Sequence, residues 1–389
     1  MDKYTRAHQI IAGLRDTTYA HDYQVTYGDE HALAESIATI LDTVDGVTTP
    51  DHIRNLSNKL ARIASGADET PIVITGNCSE LVVDPLSAAA PTRDCVSSLS
   101  LIDSSLLGGD VLHIHRGRGQ NTKPRSSAHE TVDGVVVQSY MGDSINSPDH
   151  TARQADPQKL VDAAMQALVL ERNLTATLGN HIPAAHEALN LYYEHAFISE
   201  GEDGKRYLLS ADLPWVGVRT NSPDSLQVEL LSGIENPVGV KVGKETTRKH
   251  LEDLSGLLNP SRQLGKIAWM LRVGLEHRDD LNRIVKDIVD IEESPIILYD
   301  IHGSTIHRAD GVKIRATERI SAEIEQLYAV CAHHHTPLNG LHLETTAKDR
   351  RECVETIHQT PTHEGCVDPQ LNRHQTEMIV NGFAKLRIA

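Results

Sequence analysis

Short runs rich in valine, isoleucine and leucine alternate with longer amphipathic segments along most of the chain, and this alternation strongly restricts the possible folds. The runs lack a strict apolar–polar alternation, which is typical of strands buried on both faces of a parallel sheet. The eight runs are PIVITG (71–76), DVLHIHRG (110–117), RYLLSADLPW (206–215), PVGVKVG (237–243), IAWMLRVG (267–274), PIILYD (295–300), LNGLHLE (338–344) and EGCVD (364–368).

Apolar positions at helical spacing predict helices between and after these runs. The predicted helices are 157–178, 223–234, 245–258, 276–292, 314–332, 346–357 and 371–386. Eight buried strands with intervening helices predict an α/β fold of the (β/α)8 TIM barrel class, with a doubly wound sheet as the alternative. Residues 1–66 are predicted to form an N-terminal helical extension, and 67–389 the barrel domain, with an insertion at about 177–205 before the third strand.

The charge balance excludes some classes of partner. The 389 residues include 37 Lys and Arg against 54 Asp and Glu, a net charge of −17, which argues against nucleic acid or an anionic membrane as partner. A small phosphorylated substrate is compatible with this charge, because a local cluster of basic residues overrides the global field. The N-terminal sequence lacks an apolar signal core, so we expect a cytoplasmic protein.

Basic residues follow or lie within most of the predicted strands, where a barrel places its active site. They are Arg116, Lys123, Arg125, Arg219, Lys241, Arg272, Lys313 and Arg315. Such a cluster requires an anionic ligand, and phosphate or carboxylate groups suit it. Taken singly, most of these side chains are expected to be solvated surface charges. Lys241 and Arg272 lie inside apolar runs, where an unpaired charge is costly, so a function is favoured for these two.

A second set of strand-end residues has the chemistry of a divalent metal site. It consists of Cys78, His302, Glu344 and Asp368. Carboxylate oxygens suit Mn²⁺, and the thiolate and imidazole also allow Co²⁺, Fe²⁺ or Zn²⁺. The alternative is structural: a lone buried cysteine is usually a small hydrophobic residue, and an aspartate before proline is usually a turn residue.

Five segments, GQNTKPRS, NPVGVKVG, HGST, GLHLETT and CVDPQLN, resemble signature blocks of the type II 3-deoxy-D-arabino-heptulosonate 7-phosphate (DAHP) synthases. They occur in the order of that family, from about residue 71 to 373. The resemblance implies a (β/α)8 fold and a metal-dependent condensation of phosphoenolpyruvate with erythrose 4-phosphate, at the entry to the shikimate pathway. Mn²⁺ or Co²⁺ is the expected cofactor, and a homo-oligomer is expected.

The resemblance also implies roles for individual residues. Cys78, His302, Glu344 and Asp368 match the metal ligands of the family. Phosphoenolpyruvate binding is implied for Arg116, Lys123, Arg219, Lys241 and Arg272. The sugar phosphate would be received by the block Lys123, Pro124, Arg125 and Ser126, and the basic pair Lys313 and Arg315 matches a further part of the site. Lys123, Arg272 and His302 are the expected catalytic residues.

This chain departs from the family pattern beside the ligand segments. Where the family has GERT, this chain has Gly217-Val218-Arg219-Thr220. Where the family has DPMHGNT, this chain has YDIHGST at 299–305, with Tyr299 and Asp300 as its first two residues. Where the family has CDPRLN, this chain has CVDPQLN, with Gln370 in place of the arginine. Because Val218 replaces an acidic neighbour, the expected acceptor is either erythrose 4-phosphate or an analogue such as an amino sugar phosphate. The candidates for activating water are Asp300, His342 and Glu80.

Two other functions fit the sequence. One is an aldolase or lyase that keeps the barrel and metal but uses a pyruvate-like donor. The other is a non-catalytic protein that binds a phosphorylated metabolite or a partner enzyme. Retention of all four candidate ligands speaks against the second alternative, whereas the loss of the acidic residue at Val218 speaks for it.

Overall fold

The computed structural model describes residues 2–15, 25–77, 96, 110–116, 122, 125, 127–132, 134–308, 312–346, 351–362 and 368–388. The chain divides into two compact units. The first unit comprises Met1–Arg54, Ser79–Thr92 and Gly117–Asn236. The second comprises Asn55–Cys78, Arg93–Arg116 and Pro237–Ala389. The domain boundary expected at residue 66 stays a prediction.

The secondary structure of the described residues follows the predicted alternation over most of its length. The strands are β1 (Ile72–Thr75), β2 (Leu112–His115), β3 (His129–Val132), β4 (Val135–Gln138), β5 (Ala185–Glu187), β6 (Ile198–Glu200), β7 (Arg206–Leu208), β8 (Leu213–Val216), β9 (Val238–Val242), β10 (Ile267–Leu271), β11 (Ile296–Asp300), β12 (Thr305–His307), β13 (Lys313–Arg315) and β14 (Gly340–His342). The α-helices are α1 (Lys3–Arg15), α2 (Glu30–Thr43), α3 (Pro50–Ala64), α4 (Gln158–Leu178), α5 (Leu191–Ala196), α6 (Leu226–Ser232), α7 (Arg248–Leu258), α8 (Arg278–Ile291), α9 (Thr317–His333) and α10 (Arg373–Ile388).

The second unit contains six parallel strands in the order β2-β1-β14-β11-β10-β9. Every residue of β1, β9, β10, β11 and β14 is buried, as the continuous apolar runs predict. Gly340 is needed in this sheet, because a Cβ there would lie 1.8 Å from the backbone oxygen of Ile72. Helices α7 to α10 follow the strands and bury apolar faces, as Ile284 and Ile288 of α8 do.

In the first unit, β5 and β8 pair in parallel, so the described residues contain eight parallel strands, the number in a (β/α)8 barrel. Strand β5 lies within the stretch 177–205 that the sequence suggested as an insertion. The first unit also contains α1 and α2 and two antiparallel hairpins, β3-β4 and β6-β7. Among the described residues, no helix has the length and apolarity needed to cross a membrane.

Two predicted elements differ from the structure. The run 206–215 forms two strands: β7 pairs antiparallel with β6, and β8 pairs with β5. The buried Asp212 separates β7 from β8 by accepting hydrogen bonds from the Thr48 hydroxyl (2.6 Å) and the Ala184 amide (2.7 Å). The helix predicted at 346–357 is wrong for the described residues 351–357, because Val354 forms a bridge beside β13, with its amide 3.0 Å from the Arg315 oxygen. Most of the run EGCVD lies outside the described residues.

Candidate active site

Strand β11 ends in a turn that carries the first candidate ligand. The side chain of Asp300 accepts a hydrogen bond from the His302 amide at 3.0 Å and so begins a short 3-10 helix, Ile301–Ser304. The same oxygen, Oδ1, lies 2.5 Å from Nδ1 of the His302 ring. Because Nδ1 is held there, Nε2 faces the Glu344 carboxylate at 3.0 Å.

Glu344 follows β14 and is surrounded by cationic groups. Its Oε1 lies 3.3 Å from Nη2 of Arg116, and its Oε2 lies 2.8 Å from Nη1 of Arg315. Burial alone would raise the pKa of Glu344, but His302 and Arg315 hold that pKa well below its usual range. The carboxylate is therefore ionised, as a metal ligand must be.

The tight end of β1 places Arg116 beside Glu344. Gly76 follows β1 with a φ of 145°, a conformation that favours glycine. A Cβ at Gly76 would lie 2.8 Å from Cβ of Arg116. The Arg116 amide also donates to the Thr75 oxygen at 2.8 Å. Strands β1 and β2 thus end close together, and the close approach holds Arg116 in place.

His302, Glu344 and Asp368 come together in the second unit. Each offers one ligand atom, and these atoms all lie within 4.8 Å of one another. Asp368 also forms an ion pair with Lys313, with 2.7 Å between Oδ1 and Nζ. One imidazole and two carboxylates form a donor set suited to Mn²⁺, Co²⁺ or Zn²⁺, so these three residues fit a divalent metal.

A second group of possible ligands, Asp300, His302 and His342, shares one residue with the first. Here the ammonium of Lys241 already supplies a positive charge, with Nζ 3.4 Å from Oδ2 of Asp300. Burial lowers the pKa of His342 to about 3, with Lys241 adding to the effect, so that imidazole is neutral. The group His302, Glu344 and Asp368, hereafter the ligand triad, is therefore the better candidate for the metal.

Several predicted cations lie around the ligand triad, although most of them are paired within the protein. Arg315 is fully buried, with Nε 3.0 Å from the Thr305 hydroxyl and Nη1 also donating to the Pro369 oxygen. Lys241 is only 4% exposed and pairs with Asp300, so an anionic residue of the protein already faces its charge. Its predicted role in binding phosphoenolpyruvate stays a prediction.

Arg272 differs from these paired cations. It follows β10, its amide donates to the Val242 oxygen at 2.9 Å, and its backbone lies against Gly303 of the turn that carries His302. Its half-buried guanidinium has no hydrogen bond or ion pair within the described part of the chain. The guanidinium N–H groups of Arg272 can therefore donate hydrogen bonds to an anionic substrate.

The remaining predicted residues fall into two groups. Arg125 and Arg219 lie in the first unit. Arg125 forms an ion pair with Glu130 at 2.7 Å. Arg219 follows β8 and is exposed, as is its neighbour Val218. Cys78, Lys123, Ser126 and Glu80 lie outside the described residues. Their predicted roles stay predictions.

A hydrogen-bonded network behind the His302 turn was missed by the sequence analysis. The Tyr299 hydroxyl lies 2.9 Å from the Ser304 hydroxyl and donates to Oε2 of Glu323 at 3.2 Å. The Leu275 amide donates to Oε1 of the same glutamate at 3.2 Å. Burial raises the pKa of Glu323 to about 7. Glu323 lies within the helical pattern of α9, and that local pattern does not indicate a contact with a turn distant in the sequence.

Parallel strands with ligand and cation residues at their carboxyl ends define this chain as an α/β protein of the TIM-barrel type. A solved structure, phospho-2-dehydro-3-deoxyheptonate aldolase from Francisella tularensis, has a similar fold. The TM-score is 0.55 and the identity 17%, with 90% of this chain and 95% of the other covered. The predicted fold class is confirmed.

Sequence relatives identify the family. Residues 14–180 and 165–381 match the model of the class-II DAHP synthetase family, and the chain belongs to that family. A probable phospho-2-dehydro-3-deoxyheptonate aldolase of Pseudomonas fluorescens is 31% identical over 376 residues, 90% of this chain and 92% of the relative. The enzyme of that name from Streptomyces coelicolor is 28% identical over 421 residues, 91% and 92% of the two chains. The chain is thus an enzyme of the DAHP synthase kind, which confirms the resemblance.

Proposed function

We propose that this enzyme condenses phosphoenolpyruvate with a phosphorylated aldehyde, erythrose 4-phosphate or an analogue, to give a 3-deoxy-heptulosonate 7-phosphate and phosphate. The observation that carries the proposal is the ligand triad together with three cations of the same unit, Arg116 after β2, Lys241 in β9 and Arg272 after β10. Membership of the DAHP synthetase family supports it. Such a product belongs to the biosynthesis of aromatic compounds.

The ligand triad, with Cys78 as the predicted fourth ligand, would hold the metal. When bound by these residues, a divalent ion, with Mn²⁺ or Co²⁺ preferred, would supply Lewis-acid polarisation of the aldehyde carbonyl. Neighbouring residues hold the side chains of Glu344 and His302 in fixed orientations. Arg116 and Arg315 flank Glu344 on opposite oxygens, and Asp300 holds the His302 ring, so the ligand atoms stay oriented.

The cations would orient the donor. Arg272 is available for a phosphate or carboxylate, and Lys241 is fixed by Asp300 near the His302 turn. Held in this way, C3 of the enolpyruvate bonds to the aldehyde carbon, whose oxygen takes up a proton. Water adds at C2 and gives up a proton, and the C2–O bond then breaks, so that phosphate leaves with the second water proton and C2 becomes a ketone. Orientation of two anionic substrates supplies a large part of such a rate enhancement.

The contacts of Arg315 and Lys313 suggest supporting roles beside the substrates. Arg315 is fully buried against Glu344 and Thr305, so we assign it to holding the carboxylate. Lys313 is more exposed and pairs with Asp368. Lys123, Arg125, Ser126 and Arg219 are proposed for the phosphates of the two substrates, following the family resemblance. Cytoplasmic location and a homo-oligomer stay predictions.

An aldehyde screen tests the proposed function. Purified protein with Mn²⁺ and phosphoenolpyruvate is offered erythrose 4-phosphate, an amino analogue and unphosphorylated aldehydes, and phosphate release is measured. We expect release only with phosphorylated acceptors. Val218→Glu restores an acidic group and should raise kcat/KM for erythrose 4-phosphate, because a polar partner for a hydroxyl or water returns. No phosphate release with any aldehyde, or turnover of pyruvate in place of phosphoenolpyruvate, would reject the proposal.

A further inference from the structure

Asp300 lies outside the ligand triad but contacts two parts of the site. Its Oδ1 accepts from the His302 amide at 3.0 Å and lies 2.5 Å from Nδ1 of the same residue. Its Oδ2 lies 3.4 Å from Nζ of Lys241, an ion pair without the alignment of a hydrogen bond. The side chain is fully buried, so water screens none of these contacts effectively.

The local backbone fixes the relation between Asp300 and the His302 ring. Asp300 stands two residues before His302 and begins the short 3-10 helix that contains it. An imidazole presents one nitrogen in a defined direction when its other nitrogen is held by a hydrogen bond. With Nδ1 held by Asp300, Nε2 faces Glu344 at 3.0 Å, on the side where the ligand triad converges.

The other groups that face Asp300 do not replace this contact. Nδ1 of His342 lies 3.6 Å from Oδ1, beyond hydrogen-bond distance. Lys241 approaches the opposite oxygen. Among the hydrogen bonds of the described side chains, the one from Asp300 is the contact that holds Nδ1 of His302.

We propose that Asp300 is a positioning residue that orients His302 toward the metal through Oδ1 and holds the Lys241 ammonium through Oδ2. One carboxylate thereby links the metal site to the phosphoenolpyruvate site, and this inference rests on the proposed function. We accordingly assign Asp300 to positioning and not to activating water, because Oδ1 holds His302 and Oδ2 faces the Lys241 ammonium.

Two substitutions separate the hydrogen bond from the charge. Asp300→Ala removes the acceptor, and Asp300→Asn keeps an oxygen that can accept from Nδ1–H of His302 but removes the charge. Mn²⁺ binding to the full chain is measured by calorimetric titration after chelation. We expect Asp300→Ala to weaken Mn²⁺ binding about 10- to 100-fold, the usual effect of losing a group that orients a ligand, and Asp300→Asn to weaken it much less.

Asp287→Asn is the matched control. Asp287, like Asp300, is a buried carboxylate with a cationic partner, because its Oδ1 lies 3.3 Å from Nη1 of Arg248, but it lies on α8 and outside the ligand triad. We expect its Mn²⁺ affinity to equal that of the native protein. Equal losses in Asp300→Ala and Asp300→Asn, or native affinity in Asp300→Ala, would overturn the positioning role.

A second readout remains if Asp300→Ala does not fold. The visible absorption of bound Co²⁺ reports the geometry of its ligands, and Asp300→Asn should retain the native spectrum. A changed spectrum in Asp300→Asn would overturn the proposal. Native protein that binds Mn²⁺ but releases no phosphate would refute the proposed function and leave the metal-binding comparison intact, so the two failures are distinguishable.

Discussion

The charge of Lys241 is balanced inside the protein, and this balance changes what a substitution there should do. Lys241 lies in β9 and Asp300 ends β11, and both are buried. Burial alone would raise the pKa of Asp300, but His302 and Lys241 hold that pKa well below its usual range. Removing either partner therefore leaves a charge in a poorly solvated place.

We predict that Lys241→Met lowers the free energy of unfolding by about 1–3 kcal/mol, because Asp300 loses its ammonium partner but keeps the His302 hydrogen bonds. Lys241→Met should also raise the KM for phosphoenolpyruvate. Urea unfolding and steady-state kinetics measure the two effects. The double variant Lys241→Met, Asp300→Asn should recover part of the lost stability, whereas full additivity of the two substitutions would show that the pair does not interact.

At the scale of secondary structure, the turn after β11 is supported from two sides. Asp300 holds it on the side of the ligand triad. On the other side, Glu323 of α9 accepts hydrogen bonds from Tyr299 and from the Leu275 amide, and its Oε2 would lie 3.2 Å from a Cβ on Gly303. Strand β11, helix α9 and the end of β10 thus fix the position of His302 together.

This support should depend on pH. Burial raises the pKa of Glu323 from 4.5 to about 7, although Arg319 opposes the shift. The contribution of Glu323 to stability is complete below pH 4.5 and is lost as the pH rises through about 7. Between these two values the carboxyl keeps its proton in the folded protein but is ionised in the unfolded chain, so a rising pH favours unfolding. This shift can change the free energy of unfolding by at most about 3 kcal/mol. We predict that Glu323→Gln flattens the dependence of the urea midpoint on pH between 5 and 8.

The same Gln variant provides the comparison that decides this prediction. Other titrating groups are shared by the native protein and the variant, so the difference between their two pH profiles isolates Glu323. Two parallel profiles would mean that Glu323 does not titrate in this range.

Elements defined by local pattern were predictable, and those defined by distant partners were not. The uninterrupted apolar runs at β9, β10 and β11 predicted buried parallel strands, and the structure confirms them. The split at Asp212 and the extended segment at Val354 depend on hydrogen bonds to residues far away in the sequence. Residue type and position at the ends of predicted strands indicated His302, Glu344 and Asp368 as metal ligands. The pairing of Asp300 with Lys241 could not be predicted in this way, because it depends on the order of the strands in the sheet.

At the scale of the whole molecule, the family match and the fold agree over nearly the full chain. Residues 14–381 fall within the matched ranges, and the relatives are covered to a similar extent. The ligand triad and the cations Arg116, Lys241, Arg272, Lys313 and Arg315 all belong to the second unit. That unit therefore contains the described part of the metal site.

The metal content of purified native protein and of His302→Ala, after chelation and reloading with Mn²⁺, tests the ligand triad most directly. Native protein should retain one ion per chain, and His302→Ala should retain none, because the imidazole that faces Glu344 and Asp368 is gone. His307→Ala, an exposed histidine of β12, is the matched control and should retain the ion. An unchanged ratio of metal to protein in His302→Ala would contradict the assignment of the metal site.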